Sequence, residues 1–458
     1  MARRFLERVQ NWFSQLGGQN GTAPHEPRII PRDEHAISRQ NISESAKKVL
    51  HRLNRSGHEA FLVGGGVRDL LLDGHPKDFD IATSATPEQV HELFRNSRLI
   101  GRRFKLVHVL FGREVIEVTT FRGAPKDAEN DPHMDVNDQG RLLRDNVYGT
   151  REEDALRRDF TINALYYDIR DFTVHDYAGG VNDLNNRRLR LIGDPVTRYQ
   201  EDPVRMLRAV RFAAKLDFTI AEDTARPIRE MSYLLEDIPP ARLFEEVLKL
   251  FTAGQGETTY EMLKRFDLFA PLFPETAQAI AEGEPDDVIR TAMASTDRRV
   301  RQNKPITPYF LYAALLWPAL RTRWRQEEAE TDQPAYQALQ QAAGETIQNQ
   351  TQATAIPKRF STPMREIWEL QLRLGKRSGK RADKLMEHPR FRAAYDFLLV
   401  REAAGEDTQG LGAWWTEYQD ANDDRRREMI SALGGNGKSG SGSGGGRRRR
   451  RKPARNNS

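Results

Sequence analysis

A short apolar run, Phe61-Leu62-Val63, stops at Gly64-Gly65-Gly66 and is followed by Val67 to Leu72, whose content favours a helix. That order predicts a buried strand, a tight turn and a helix. Glycines in such a turn let backbone N–H groups approach a phosphate, and a helix N-terminus adds a favourable dipole. Arg68, one turn in, is placed to put a guanidinium on the same anion. Asp78 and Asp80 come next, two apart in a segment that reads as a strand, so both carboxylates point to one face. Neighbouring carboxylates repel each other, and a shared pair of divalent cations relieves that repulsion. Either piece alone is more often a plain turn or a solvated strand edge. In this order and this close together, they outline the phosphate cradle and metal shelf of a nucleotidyl transferase.

The elements around this stretch read as a small sheet with helices. Residues 17–31 are rich in Gly, Pro and Asn and read as linker, and Asn41 with Glu44 is a candidate cap for a helix carrying Ala46, Val49, Leu50 and Leu53. Thr86 before Pro87 marks another helix start. Leu106 to Phe111 and Glu114 to Phe121 read as two strands joined at Gly112-Arg113. In the second, Ile116, Val118 and Thr120 face one way and Val115, Glu117 and Thr119 the other. Glu117 is therefore a candidate third metal ligand, or else an ordinary exposed strand glutamate. Residues 124–146 are polar and aperiodic, which predicts a loop beside the site.

Two later stretches carry further chemistry. Glu152 to Leu165 passes from a charged helix into an apolar segment, with Arg157-Arg158-Asp159 at the junction. In Glu201-Asp202-Pro203-Val204-Arg205-Met206-Leu207-Arg208, Pro203 sits at a helix start. Spacing by three sets Asp202, Arg205 and Arg208 on one stripe and Leu207, Val210 and Ala214 on the opposite, buried one. An Asp and an Arg so related can hold each other rigid and pair with the Watson–Crick edge of a nucleotide, choosing a base without a template. From Ser232 onward the text is helical, with turns at Pro239-Pro240, Pro271, Pro274, Pro305 and Pro357. Basic residues interleaved with aromatics between Gly379 and Tyr395 suit a single-stranded RNA primer, or else solvated helix faces over an aromatic core.

The glycine turn with its helix and the Asp78-Phe79-Asp80 step resembles the head of the template-independent polymerases that include CCA-adding enzymes and bacterial poly(A) polymerases. Asp73 stands where that pattern usually has glycine. The resemblance extends to the second and third stretches. It implies that Asp159 joins the Asp78/Asp80 cluster or meets the nucleotide ribose, and that Arg158 meets the ribose or triphosphate. It further implies that Gly65 and Arg68 receive the triphosphate of ATP, that Asp202, Arg205 and Arg208 select the base, and that Asp78 and Asp80 hold two Mg2+ ions. Leu99-Ile100-Gly101-Arg102-Arg103-Phe104, running into a strand, resembles the signature that sets bacterial poly(A) polymerases apart from their CCA-adding relatives. The expected activity is addition of AMP from ATP to RNA 3′-hydroxyl ends. The near rival is a CCA-adding tRNA nucleotidyltransferase, and the far one is an RNA-binding protein without catalysis.

The expected architecture is α+β. Residues 1–41 form an N-terminal helix and linker, 42–190 the nucleotidyltransferase head, 191–255 a helical neck, 256–433 an all-α RNA-binding body and 434–458 a disordered basic tail. Among 458 residues there is no cysteine, which excludes disulfides and thiolate metal sites. No apolar run reaches the length of a membrane span, and the N-terminus lacks the apolar core of a secretory signal. Between Arg3 and Leu16 a short amphipathic helix with Phe5, Trp12, Phe13 and Leu16 reads as a peripheral membrane contact or, more commonly, a terminal helix docked on the body. Net charge is only +5, but Arg447, Arg448, Arg449, Arg450 and Arg451 form an unbroken run behind a Gly/Ser linker, which points to RNA as a polyanionic partner. A monomer in the bacterial cytoplasm is expected, with RNA 3′ ends as substrate and RNA-decay proteins as candidate partners.

Overall fold

The computed structural model describes residues 26–101, 105–123, 134–136, 142–145 and 147–435. The expected helix at residues 3–16, Arg102-Arg103-Phe104, most of the loop 124–146 and the arginine run Arg447 to Arg451 lie outside the described residues. The fold is α+β. Its strands are β1 (Arg28–Ile30), β2 (Ala60–Val63), β3 (Asp80–Thr83), β4 (Ser97–Ile100), β5 (Leu106–Phe111), β6 (Glu114–Thr120), β7 (Met134–Val136), β8 (Leu142–Asp145), β9 (Leu165–Tyr167) and β10 (Val174–Asp176), followed by two-residue pieces at Arg188–Leu189 and Thr219–Ile220. Eight strands make one mixed sheet in the order β1-β10-β9-β2-β3-β6-β5-β4. Within it only β3 and β6 run parallel, and the connection between them includes the Pro87–Leu93 helix. Thr86 starts that helix with a reciprocal cap: its hydroxyl accepts from the Gln89 N–H while the Gln89 side chain accepts from the Thr86 N–H.

Strand register, which no local pattern specifies, lines up the head. Tyr166 lies opposite Val63, Val63 opposite Asp80, Asp80 opposite Glu117, and Glu117 opposite His108. Directly paired residues share a face, so these five side chains form one row across the sheet. The alternation expected in β6 is present, with Ile116, Val118 and Thr120 buried and Glu117 half-buried on the other face. β2 is buried along its whole length and ends at Gly64, whose φ of 72° favours glycine. The Gly65–Leu71 helix follows directly.

Three local expectations are corrected. The linker reading of residues 17–31 runs too far, because Arg28–Ile30 pairs with β10 as an edge strand and buries Ile30. Backbone pairing at an edge needs no side-chain pattern, so the sequence does not advertise it. The Glu44–Arg55 helix is capped by Ser43, whose hydroxyl accepts from the Ala46 N–H; Asn41 instead ends a preceding helical turn. Asp78 lies just before β3, which begins at Asp80. Asp73 adopts a φ of 55°, the left-handed conformation that glycine would take without strain and that Asp tolerates.

From Pro195 the chain is helical to Gly435 apart from Thr219–Ile220. Pro240, Pro274 and Pro308 each stand at the first position of a helix, where a missing N–H costs nothing. The Val204–Leu216 helix buries Leu207, Val210 and Ala214, as its spacing predicts. One apolar core runs from Ile30 through the sheet and this helix to Val400. A second, around Trp415 and Tyr418, lies under the last helices.

Candidate active site

The row of side chains on β2, β3 and β6 opens into a cavity of about 150 Å³ lined by Val63, Asp80, Glu117, Asp154, Arg157 and Arg158 among others. Burial, then the charge of Glu117, pushes the Asp80 carboxyl up to about 6, with Asp78 adding to the rise and Arg158 opposing it. Glu117 and Asp78 thus crowd negative charge around Asp80, against which the Arg158 guanidinium acts. A divalent cation relieves such crowding, and an all-carboxylate donor set suits Mg2+. Glu117 stands next to Asp80 as expected, and His108 approaches it from the far side at 3.5 Å.

Arg158 is anchored, not free. It donates to the Tyr166 hydroxyl at 2.9 Å and to Asp154 at 3.1 Å, and the Tyr166 hydroxyl itself donates to Asp154. A side chain at position 64 would come within 3.5 Å of the Arg158 guanidinium and 3.7 Å of the Asp80 carboxylate. The bare glycine therefore keeps open the gap between the site's cation and its central anion. Arg198 donates at 2.7 Å to the carbonyls of both Arg157 and Arg158, which pins the segment that presents them. Burial, then the neighbouring Arg205, lowers the Arg198 guanidinium to about 10.

Asp159 does not join the Asp78/Asp80 group. Its carboxylate accepts from Arg208 at 2.8 and 2.5 Å, from Asn163 at 3.1 Å and from the Phe160 N–H at 2.8 Å. Burial alone would raise its pKa, but Arg208, Asn163 and that N–H outweigh it and hold the carboxyl at about 2. Arg68 lies against the glycine turn, its guanidinium 3.4 Å from where a Cβ at Gly65 would stand, and is already engaged. It is only 2 % exposed and donates to Asp69 and, at 2.8 Å, to Asn163. Its guanidinium, with those of Arg208 and Arg211, surrounds the Phe212 ring at 5.0 to 5.4 Å. Arg68, Asn163, Asp159 and Arg208 thus form a continuous chain tying the glycine helix to the Val204–Leu216 helix.

Asp202, Arg205 and Arg208 each hydrogen-bond to residues outside the predicted stripe, while the charge of Asp202 still acts on Arg208. Asp202 lies past the end of the Pro195–Glu201 helix and accepts from Arg242 at 2.8 Å. Arg205 donates to Glu201 at 2.7 Å, and Arg208 goes to Asp159. The Glu201–Arg205 pair was open to sequence reasoning through its four-residue spacing. Arg242, forty positions from Asp202, gave no local signal. Among the described residues, Asp168, Asp171 and His175 also gather within 4.8 Å. Arg170 pairs with Asp168 at 2.7 Å and the Thr173 hydroxyl bridges Asp171 and the His175 Nε2, while the buried His175 Nδ1 has no hydrogen-bond partner.

Three family models match in chain order: the poly A polymerase head domain at residues 60–190, a probable RNA and SrmB-binding site of polymerase A at 217–280, and the polymerase A arginine-rich C-terminus at 331–456. Poly(A) polymerase I of Salmonella typhi is 51% identical over 437 residues, spanning 94% of this chain and 93% of that protein. A CCA-adding enzyme of Lactobacillus helveticus is 44% identical over 219 residues, which is 47% of this chain and 52% of that one. The fold matches a solved structure of the Bacillus stearothermophilus CCA-adding enzyme in complex with CTP at a TM-score of 0.53, with 23% identity over 86% of this chain and 84% of that one. The fold is thus shared with a CCA-adding enzyme. Sequence likeness to poly(A) polymerase I runs along nearly the whole chain, the helical part included, and this chain belongs to the poly(A) polymerase I family.

Proposed function

We propose that this chain adds AMP units from ATP to the 3′-hydroxyl ends of RNA without a template, releasing pyrophosphate. The observation that carries this reading is the likeness to poly(A) polymerase I over 94% of the chain, against half the chain for a CCA-adding enzyme.

In the reaction the primer 3′-oxygen attacks the α-phosphorus of the nucleotide and the bond to pyrophosphate breaks. Asp78 and Asp80, with Glu117 as candidate third ligand, would hold the two Mg2+ ions. Bound there, Mg2+ would lower the cost of the attacking oxyanion and of the departing phosphate charge. The chain's own groups do the rest. The N–H groups at Gly64 and Gly65, opening a helix, would receive the triphosphate. Arg158, held by Asp154 and Tyr166 beside Asp80, offers its remaining N–H donors to a phosphate or ribose. Arg68 acts as a positioning residue under the glycine turn. Asp202 and Arg205 present the base-reading edge, each fixed by a partner of its own, Arg242 and Glu201.

Primer extension tests the function: with Mg2+, a short RNA of arbitrary sequence and each nucleotide supplied alone, ATP is expected to give a long ladder and the other three little. Short additions that begin with CTP and require a tRNA end would instead mean CCA addition. The base-reading assignment has its own test in Arg242→Gln. Loss of one charge-assisted hydrogen bond, about 1.5 kcal/mol, is expected to cut the ATP-over-CTP ratio of kcat/KM roughly tenfold. An unchanged ratio would remove Asp202 from base selection.

A further inference from the structure

A larger cavity, about 460 Å³, lies in the helical body where the Asp287–Arg301 helix, the turn before the Pro308–Leu315 helix and the Phe391–Ala403 helix meet. Its lining combines two chemistries. Pro305, Ile306, Phe310 and Val400 give it an apolar floor, while Arg298, Arg299 and Arg392 stand around it as cations. The guanidiniums differ in how far they are engaged. Arg299 donates to the Pro305 carbonyl and Arg392 pairs with Asp396 at 2.9 Å. Arg298 is exposed and has no side-chain partner among the described residues. Asp396 lines the cavity with one carboxylate oxygen paired to Arg392 and the second left as an acceptor. Tyr309, with Arg390 lying 5.4 Å over its ring, adds an aromatic edge.

An apolar slot with an unpaired guanidinium at one side and a carboxylate acceptor at another fits a planar, amino-bearing base attached to a phosphate. We infer that this cavity is a nucleotide subsite for RNA upstream of the primer terminus, taking one adenine in the apolar slot, its exocyclic amine on Asp396 and its phosphate on Arg298. The inference rests on the RNA-tailing reading above. It adds a substrate contact away from the chemical centre, engaged only when the RNA is long enough to reach it. An enzyme with such a subsite holds its own oligo(A) product better than a very short primer.

The test uses the full-length chain and two variants, Arg298→Ala and Ala393→Phe, the second filling the slot from its wall. Binding of a long labelled oligo(A) is measured by anisotropy without Mg2+ or ATP, and trinucleotide primer extension is measured separately. Both variants are expected to lose oligo(A) affinity roughly tenfold, the effect of one stacked base with its phosphate contact. They should extend the trinucleotide at the parent rate. Arg298→Ala should also reduce the slope of log affinity against log salt by about 0.7, one single-strand phosphate. Parent-like oligo(A) affinity in folded variants would overturn the subsite. Equal losses with oligo(U) would overturn the adenine reading, since uracil has no amine for Asp396. Failure of the unmodified chain to extend any primer would instead strike at the proposed function, so the two failures are distinguishable.

Discussion

Asp80→Asn is expected to abolish AMP incorporation, a fall on the order of 10³-fold or more, while leaving the protein at least as stable as the parent in the presence of a chelator. The rate term follows from removing a carboxylate whose bound ions supply several kcal/mol of charge stabilisation. The stability term follows from the state of the carboxylate without metal. Burial and the charges of Glu117 and Asp78 raise Asp80 to about 6 from 3.8. A raised carboxyl pKa means that the fold disfavours the ionised form, so above about pH 6 the native state carries a penalty that the unfolded chain does not. A neutral amide of the same shape removes it, a gain on the order of 1–3 kcal/mol at pH 8 that vanishes below pH 4. Mg2+ should reverse the ranking. It raises the melting temperature of the parent by binding the folded state alone and does little for the variant. An active Asp80→Asn protein, or equal Mg2+ shifts in both proteins, would show that the metal shelf lies elsewhere.

What the sequence made legible in this site is what short-range geometry controls. The strand, glycine turn and helix from Ala60 to Leu71 follow from an apolar run meeting residues free to take a positive φ. The alternation of β6 put Glu117 on the correct face before any sheet was known. The cap at Thr86 and the buried stripe of the Val204–Leu216 helix are likewise local. What stayed hidden depends on which distant segments meet. Five residues from five strands share one row because of register, and register is settled by the whole sheet. The arginines show this best. Residue type and spacing suggested Arg68 for an anion and Arg208 for reading a base, yet each finds a partner across the fold, Asn163 and Asp159. A buried guanidinium cannot be left unpaired, so its first claim is on the nearest acceptor, and only the assembled fold says which that is. The same logic gave Asp202 to Arg242.

The Asp159–Arg208 contact carries the second large expectation. Asp159→Ala should lower stability by about 3 kcal/mol at pH 7, because it strands a guanidinium that is mostly enclosed and already shares the Phe212 ring with two others. The value sits at the low end for broken buried pairs since Arg208 is 33% exposed and water can reach part of it. The pH dependence has a definite sign. Asp159 is held at about 2 in the fold against 3.8 in its absence. A depressed carboxyl pKa contributes stability that is fully present above the unfolded value and is lost as pH falls through the folded one. The difference between parent and variant in urea unfolding should therefore be constant from about pH 8 to pH 5 and shrink between pH 4 and pH 2. A difference near zero at neutral pH would mean that desolvation of the two charges cancels their attraction. The chain from Arg68 to Arg208 would then be a positioning device with no net stabilising role. In that case the variant would still lose activity through misplaced Arg208 and Arg158, and Asp159→Asn, which keeps one acceptor oxygen for Arg208, would recover part of it.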